Sequence, residues 1–90
     1  MKLTKKEVLD RLKNWSGWGI EKGQLHKEFV FKDFLEAVKF VSRVAEAAEA
    51  MDHHPDIDIR YKKVSLSLVT HSAGGLTEKD FKLAAYIDAI

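Results

Sequence analysis

Ninety residues allow one domain and leave no room for a second hydrophobic core. The chain is 46% apolar with a net charge of +1, and its charges are spread evenly: ten basic and eight acidic in residues 1–50, five and six in residues 51–90. No basic block marks a nucleic-acid binder. Cysteine is absent, which excludes disulfides and thiolate metal sites. No apolar run approaches the roughly 20 residues that span a bilayer. The first residues, Met1-Lys-Leu-Thr-Lys-Lys6, lack the apolar stretch of a signal peptide. The expectation is a soluble cytoplasmic protein without a nucleic-acid or membrane partner.

Thr4-Lys-Lys-Glu7 has the form of a capping box. Val8, Leu9, Leu12 and Trp15 follow at helical spacing, which predicts a helix from about Lys5 to Asn14, ended by Ser16-Gly17. Trp18 to Phe31 reads as a hairpin turned at Gly23. In its second half Leu25, Lys27, Phe29 and Phe31 share one face. Asp33 to Met51 carries the longest apolar stripe, with Phe34, Val38, Val41, Ala45 and Ala48 spaced by four, three, four and three. This helix must stop before Pro55, since proline disfavours helical geometry in the residue before it. Ile57, Ile59 and Tyr61, then Val64, Leu66 and Leu68, alternate with polar residues and predict two strands joined near Lys62-Lys63. Gly74-Gly75 breaks the chain. Thr77-Glu-Lys-Asp80 is a second capping box, and a last helix follows over Phe81 to Ile90. The order is α-ββ-α-ββ-α. It predicts an α+β domain over residues 1–90, a four-stranded antiparallel sheet with helices packed on one face.

The residues able to carry chemistry gather around Glu49-x-x-x-His53-His54-Pro55. Histidine is the side chain best suited to proton transfer near neutral pH. Neighbouring histidines can share a site only where the backbone changes course, and Pro55 is the expected cause of that change. Glu49, four residues before His53, is placed to face it on the helix and orient it. Carboxylate and imidazole at this spacing can also share a metal ion, but no recognised ligand pattern such as H-E-x-x-H is present. Taken alone, His53-His54 fits two exposed loop histidines better than a site. His71 stands at a strand end beside a glycine loop, where sites often form. Asp80 is explained by its capping box, with any catalytic role additional.

The full constellation resembles the pterin-4a-carbinolamine dehydratase family. It comprises Glu49-x-x-x-His53-His54-Pro55, then Tyr61, His71 and Asp80, flanked by Gly17-Trp18, Phe29-Val-Phe-Lys-Asp-Phe34 and Gly75-Leu-Thr77. Many members carry a tryptophan two residues after the proline, where this chain has Ile57. The resemblance implies a hydro-lyase that removes water from 4a-hydroxytetrahydropterin to yield quinonoid dihydropterin. It implies no metal and no cofactor, the pterin being the substrate. His53 and His71 correspond to the acid–base pair, His54 and Pro55 to pterin-binding residues, and Glu49, Tyr61 and Asp80 to orienting or structural ones. A homodimer or homotetramer is implied, and an aromatic amino-acid hydroxylase as the source of substrate. Two alternatives remain: a dehydratase for another pterin, as in molybdopterin metabolism, or a non-catalytic binding or coactivator module.

Overall fold

The computed structural model describes residues 1–90. The elements are α1 (Lys5–Leu12), β1 (Gly19–Glu21), β2 (Gln24–Val30), α2 (Phe34–Met51), β3 (Asp56–Arg60), β4 (Lys63–Leu68) and α3 (Glu78–Asp88). A short 3-10 turn, His71–Ala73, lies between β4 and α3. The four strands form one antiparallel sheet, as predicted, and their order is β1-β2-β4-β3.

Strand register sorts the residues into two faces. Leu25 pairs with Leu68, Lys27 with Leu66 and Phe29 with Val64. Leu25, Val64, Leu66 and Leu68 are fully buried there against Val44, Leu83, Ala84 and Ile87 of the helices. The other face presents His26, Glu28, Ser65, Ser67, Asp56 and Asp58. The helices therefore cover one face of the sheet. Each fully buried leucine contributes about 1.5–3 kcal/mol relative to an exposed one, so β4, with three buried apolar side chains, is the spine of the core.

Both capping boxes form. Thr4 accepts from the Glu7 amide at 3.1 Å, and the Glu7 carboxylate accepts from the Thr4 amide at 2.8 Å. Thr77 and Asp80 make the equivalent arrangement at the start of α3. Several boundaries move. Helix α1 ends at Leu12 rather than Asn14, because Trp15 turns back to pack 5.8 Å from the ring of Phe81 and 6.0 Å from Trp18. Helix α3 begins directly after Thr77, three residues before Phe81. The β3–β4 turn is Tyr61-Lys62, one residue earlier than expected, and Tyr61 adopts φ 54°. Two-residue hairpins need positive φ at the first central position, so Tyr61 leaves the strand to supply it.

Lys27 stands on the core face at its rim. Its ammonium donates to Asp88 at 2.8 Å and lies 4.8 Å from the centre of the Phe29 ring. The Asp88 carboxylate also accepts from the indole N–H of Trp15 at 2.8 Å and of Trp18 at 3.0 Å. One carboxylate in the last turn of α3 thus ties that helix to the segment after α1 and to β2.

Candidate active site

Helix α2 ends in a left-handed residue. The Asp52 amide donates to Glu49 O at 3.2 Å and the His53 amide to Ala48 O at 3.0 Å, with Asp52 at φ 48° and ψ 45°. This is the Schellman pattern, in which glycine usually takes the left-handed place. A non-glycine residue there carries some strain, and aspartate is among those that tolerate it best. The chain reverses at Asp52, so His53 turns inward and His54 outward. The change of course comes at Asp52, three residues before Pro55.

His53 is buried, and its Nε2 lies 2.6 Å from Asp80 Oδ1. Asp80 is fully buried. Its Oδ2 accepts from the Thr70 hydroxyl at 2.8 Å and from the Thr77 amide at 2.9 Å. The Thr77 hydroxyl lies 2.8 Å from Thr70 Oγ1. Because Thr70 donates to Asp80, Thr77 donates to Thr70. No buried polar side-chain atom is left without a partner. The Thr77 amide and the Thr70 hydroxyl both donate to Asp80, and with the carboxylate acting as acceptor toward His53 as well, Nε2 of the imidazole is the donor to Oδ1. That fixes the ring's tautomer and leaves Nδ1 free of protein partners. Asp80 is therefore both a helix cap, as its box predicts, and the orienter of His53.

Glu49 meets a different histidine from the one expected. Its Oε2 lies 2.5 Å from Nε2 of His54, in a pair that is 78% and 55% exposed. The rule that residues four apart share a face holds only within a helix, and α2 stops at Met51.

His53, His54 and His71 border one cavity of about 270 Å3, together with Asp52, Thr70, Ser72 and Lys79. The 3-10 turn that carries His71 is pinned at its base. Thr70 and Gly75 pair through their backbones, and Gly74 takes φ 73° to close the turn on His71 O at 3.0 Å. Pro55 and Tyr61 stand outside this lining. Pro55 leads into β3, and Tyr61 lies at the strand's far end, 67% exposed. A strand rises about 3.3 Å per residue, so five residues of β3 keep Tyr61 well away from the histidines. No three histidine, aspartate or glutamate side chains converge as an ion site. Asp52 and Lys79 were not foreseen at the cavity. The signal for Lys79 was its place inside the second capping box. For Asp52 it was an aspartate where a helix must end.

Three larger depressions contain no histidine: two, about 420 and 490 Å3, lie along the segment from Met1 to Leu3, and one of about 420 Å3 lies between Arg43 and the end of the chain at Tyr86, Ala89 and Ile90. The first shares Thr70, Ser72 and Lys79 with the histidine cavity, so the two adjoin. The titratable groups place the candidate site in the smaller one. Two imidazoles with separate surroundings on one cavity can give and take protons on one bound molecule.

Comparison with known proteins gives a consistent result. The family model described as pterin 4 alpha carbinolamine dehydratase matches residues 1–90. A relative from Acidobacterium capsulatum is 51% identical over 88 residues, covering 98% of this chain and 96% of its own. One from Sulfolobus acidocaldarius is 49% identical over 90 residues, covering 100% and 99%. Both are provisionally named pterin-4-alpha-carbinolamine dehydratases. Among solved structures, a transcriptional coactivator/pterin dehydratase from Brucella melitensis superposes with a TM-score of 0.92 at 37% identity, covering 99% of this chain and 97% of that one. A pterin dehydratase-like protein described as a RuBisCO assembly factor in the alpha-carboxysome gives 0.69 at 26% identity, covering 83% and 89%.

Proposed function

The chain belongs to the pterin-4-alpha-carbinolamine dehydratase family, and on that premise we propose that it dehydrates 4a-hydroxytetrahydropterin to quinonoid dihydropterin. The observation that carries this reading is the pair of imidazoles, His53 and His71, on one cavity, with His53 held by a buried carboxylate. Water leaves a carbinolamine when a proton reaches the departing oxygen while nitrogen lone-pair density expels it. A ring N–H proton then goes to a base. One imidazole supplies the first proton and the other accepts the second, so the reaction needs no net acid or base. Asp80 keeps the Nδ1 edge of His53 available for this exchange, and His54, held by Glu49, binds the ring.

An aromatic amino-acid hydroxylase is the proposed source of substrate, and the proposed setting is the cytoplasm. No helix is long and apolar enough to cross a membrane. We propose a homodimer or homotetramer as well. Strand β3 lies at the sheet edge with all five residues exposed, including Ile57 and Ile59. Such edges are ready to pair.

The test is the rate at which purified protein accelerates dehydration of the carbinolamine above its spontaneous loss. His53→Ala and His71→Ala should each slow it by about 10²–10⁴-fold. Full activity in both variants, or none in the wild type, sinks the assignment. A second reading, a non-catalytic binding module, draws on the coactivator and assembly roles named for two structural neighbours. An inactive wild type that copurifies with a stable partner would favour it.

A further inference from the structure

We propose that the side-chain carboxylate of Asp52 recognises the 2-amino and N3–H edge of the bound pterin. This rests on the pterin reading above and assigns part of the substrate's specificity to one residue.

Three observations converge on it. The first is conformational. Asp52 is one of three non-glycine residues with positive φ, and the other two, Lys22 and Tyr61, lie in hairpin turns. Asp52 instead occupies the helix-ending place where glycine is normally found. The second is electrostatic. A carboxylate just past a helix C-terminus faces the negative end of the helix dipole. Asp52 has no ion pair to offset this, while Glu49 three residues earlier is engaged by His54. The third is position. Asp52 lines the cavity bordered by His53, His54 and His71.

Glycine holds this place with less strain and an uncharged residue would avoid the negative end of the helix, yet the carboxylate of Asp52 has no ion pair within the chain. Locally disfavoured residues that persist at a cavity point to a ligand. A pterin carries an amidine-like edge, with the 2-amino group and N3–H side by side as parallel donors. A carboxylate accepts such a pair through both oxygens, the geometry that makes charge-assisted pairs strong and directional. The imidazoles remain free for proton transfer on the ring's other positions.

The experiment compares 7,8-dihydropterin with 7,8-dihydrolumazine, which carries oxygen in place of the 2-amino group. Dissociation constants come from calorimetry for the wild type, Asp52→Asn and Asp52→Gly, with melting temperatures and carbinolamine turnover measured in parallel. The wild type should prefer the pterin by about 10- to 100-fold. Asp52→Gly should melt higher than the wild type, bind both compounds alike, and raise KM for the carbinolamine while kcat changes little. Asp52→Asn should recover part of the preference. A glycine variant that keeps the preference, or that melts lower because the carboxylate is structural, overturns the proposal. A wild type that prefers the pterin through Asp52 but dehydrates nothing overturns the proposed reaction and supports the Asp52 assignment. Turnover by the wild type with an unchanged preference in Asp52→Gly overturns the assignment alone.

Discussion

Two imidazole–carboxylate pairs stand side by side at the end of α2, built from consecutive histidines. His53–Asp80 is enclosed, its carboxylate fully buried and bonded to two further donors. His54–Glu49 is open to solvent on both sides. The donor and acceptor chemistry is the same, but the energetics differ. Water screens the outer pair and competes for both partners, which limits exposed pairs to about 0–1 kcal/mol. Inside, removal of one partner leaves a desolvated group unpaired, which costs about 3–5 kcal/mol. Burial makes His53 a fixed part of the fold, while the exposed His54 is held only by its solvent-facing partner.

The largest expected effect is at Asp80. Asp80→Ala should lose about 3–5 kcal/mol in urea denaturation, a large share of the roughly 5–13 kcal/mol expected for a domain of this size. Asp80→Asn sharpens the point. Its amide oxygen can still cap α3, but its NH2 must face Nε2 of His53 or surrender the cap. It should therefore keep most of the stability and still lose about 10²–10⁴-fold in turnover, because the imidazole is driven to the wrong tautomer. An Asp80→Asn enzyme as active as the wild type would break the claim that Asp80 orients His53.

At the outer pair, Glu49→Gln should change stability by less than about 1 kcal/mol. A double-mutant cycle with His54→Ala should give a coupling that shrinks as salt rises. A coupling as large as that of His53 with Asp80 would erase the distinction between the pairs.

The smallest effect belongs to a third carboxylate, Glu7, exposed at the start of α1. The Thr4 backbone N–H, then the Thr4 side chain, hold its carboxyl below the usual value of 4.5. A lowered folded value means that Glu7 stabilises the protein above pH 4.5, and that this contribution is lost as the pH falls below it. Acid titration of the wild type and Glu7→Gln should show a slight difference at neutral pH that disappears below that value.

Much of this architecture was legible in the residues. Both capping boxes announced their helices, and the alternation of residues 64–68 announced the central core strand. The stripe Phe34, Val38, Val41, Ala45 and Ala48 announced α2 but not its buried face, which runs through Ala37, Phe40, Val44, Ala47 and Ala48 and leaves Phe34 and Ala45 exposed. That His53, His54 and His71 border one cavity was not legible in their places at element ends, where His53-His54 fits loop histidines better; it was the family resemblance that implied a shared site. Glu49's partner was not legible either. Its choice of His54 depends on a left-handed turn at Asp52, a backbone state that no side-chain pattern marks. Ile57 and Ile59 show another limit. Alternation tells which face a strand presents, not whether anything covers it, and on edge strand β3 both isoleucines stay exposed. Lys27 shares a face with Leu25 and Phe29, and its partner there, Asp88, lies sixty-one residues later in the chain, beyond the reach of any local pattern.

The carboxylate of Asp88 has a practical consequence. It binds the indole N–H of Trp15 and of Trp18, the two tryptophans of the chain. It rides on the same helix as Asp80, the residue that seats His53. Detaching α3 would release both indoles from a charged acceptor and expose them to water. Tryptophan emission is therefore a label-free optical reporter of whether the wall behind the His53 imidazole is in place. It could distinguish a variant that has lost its chemistry from one that has lost its last helix.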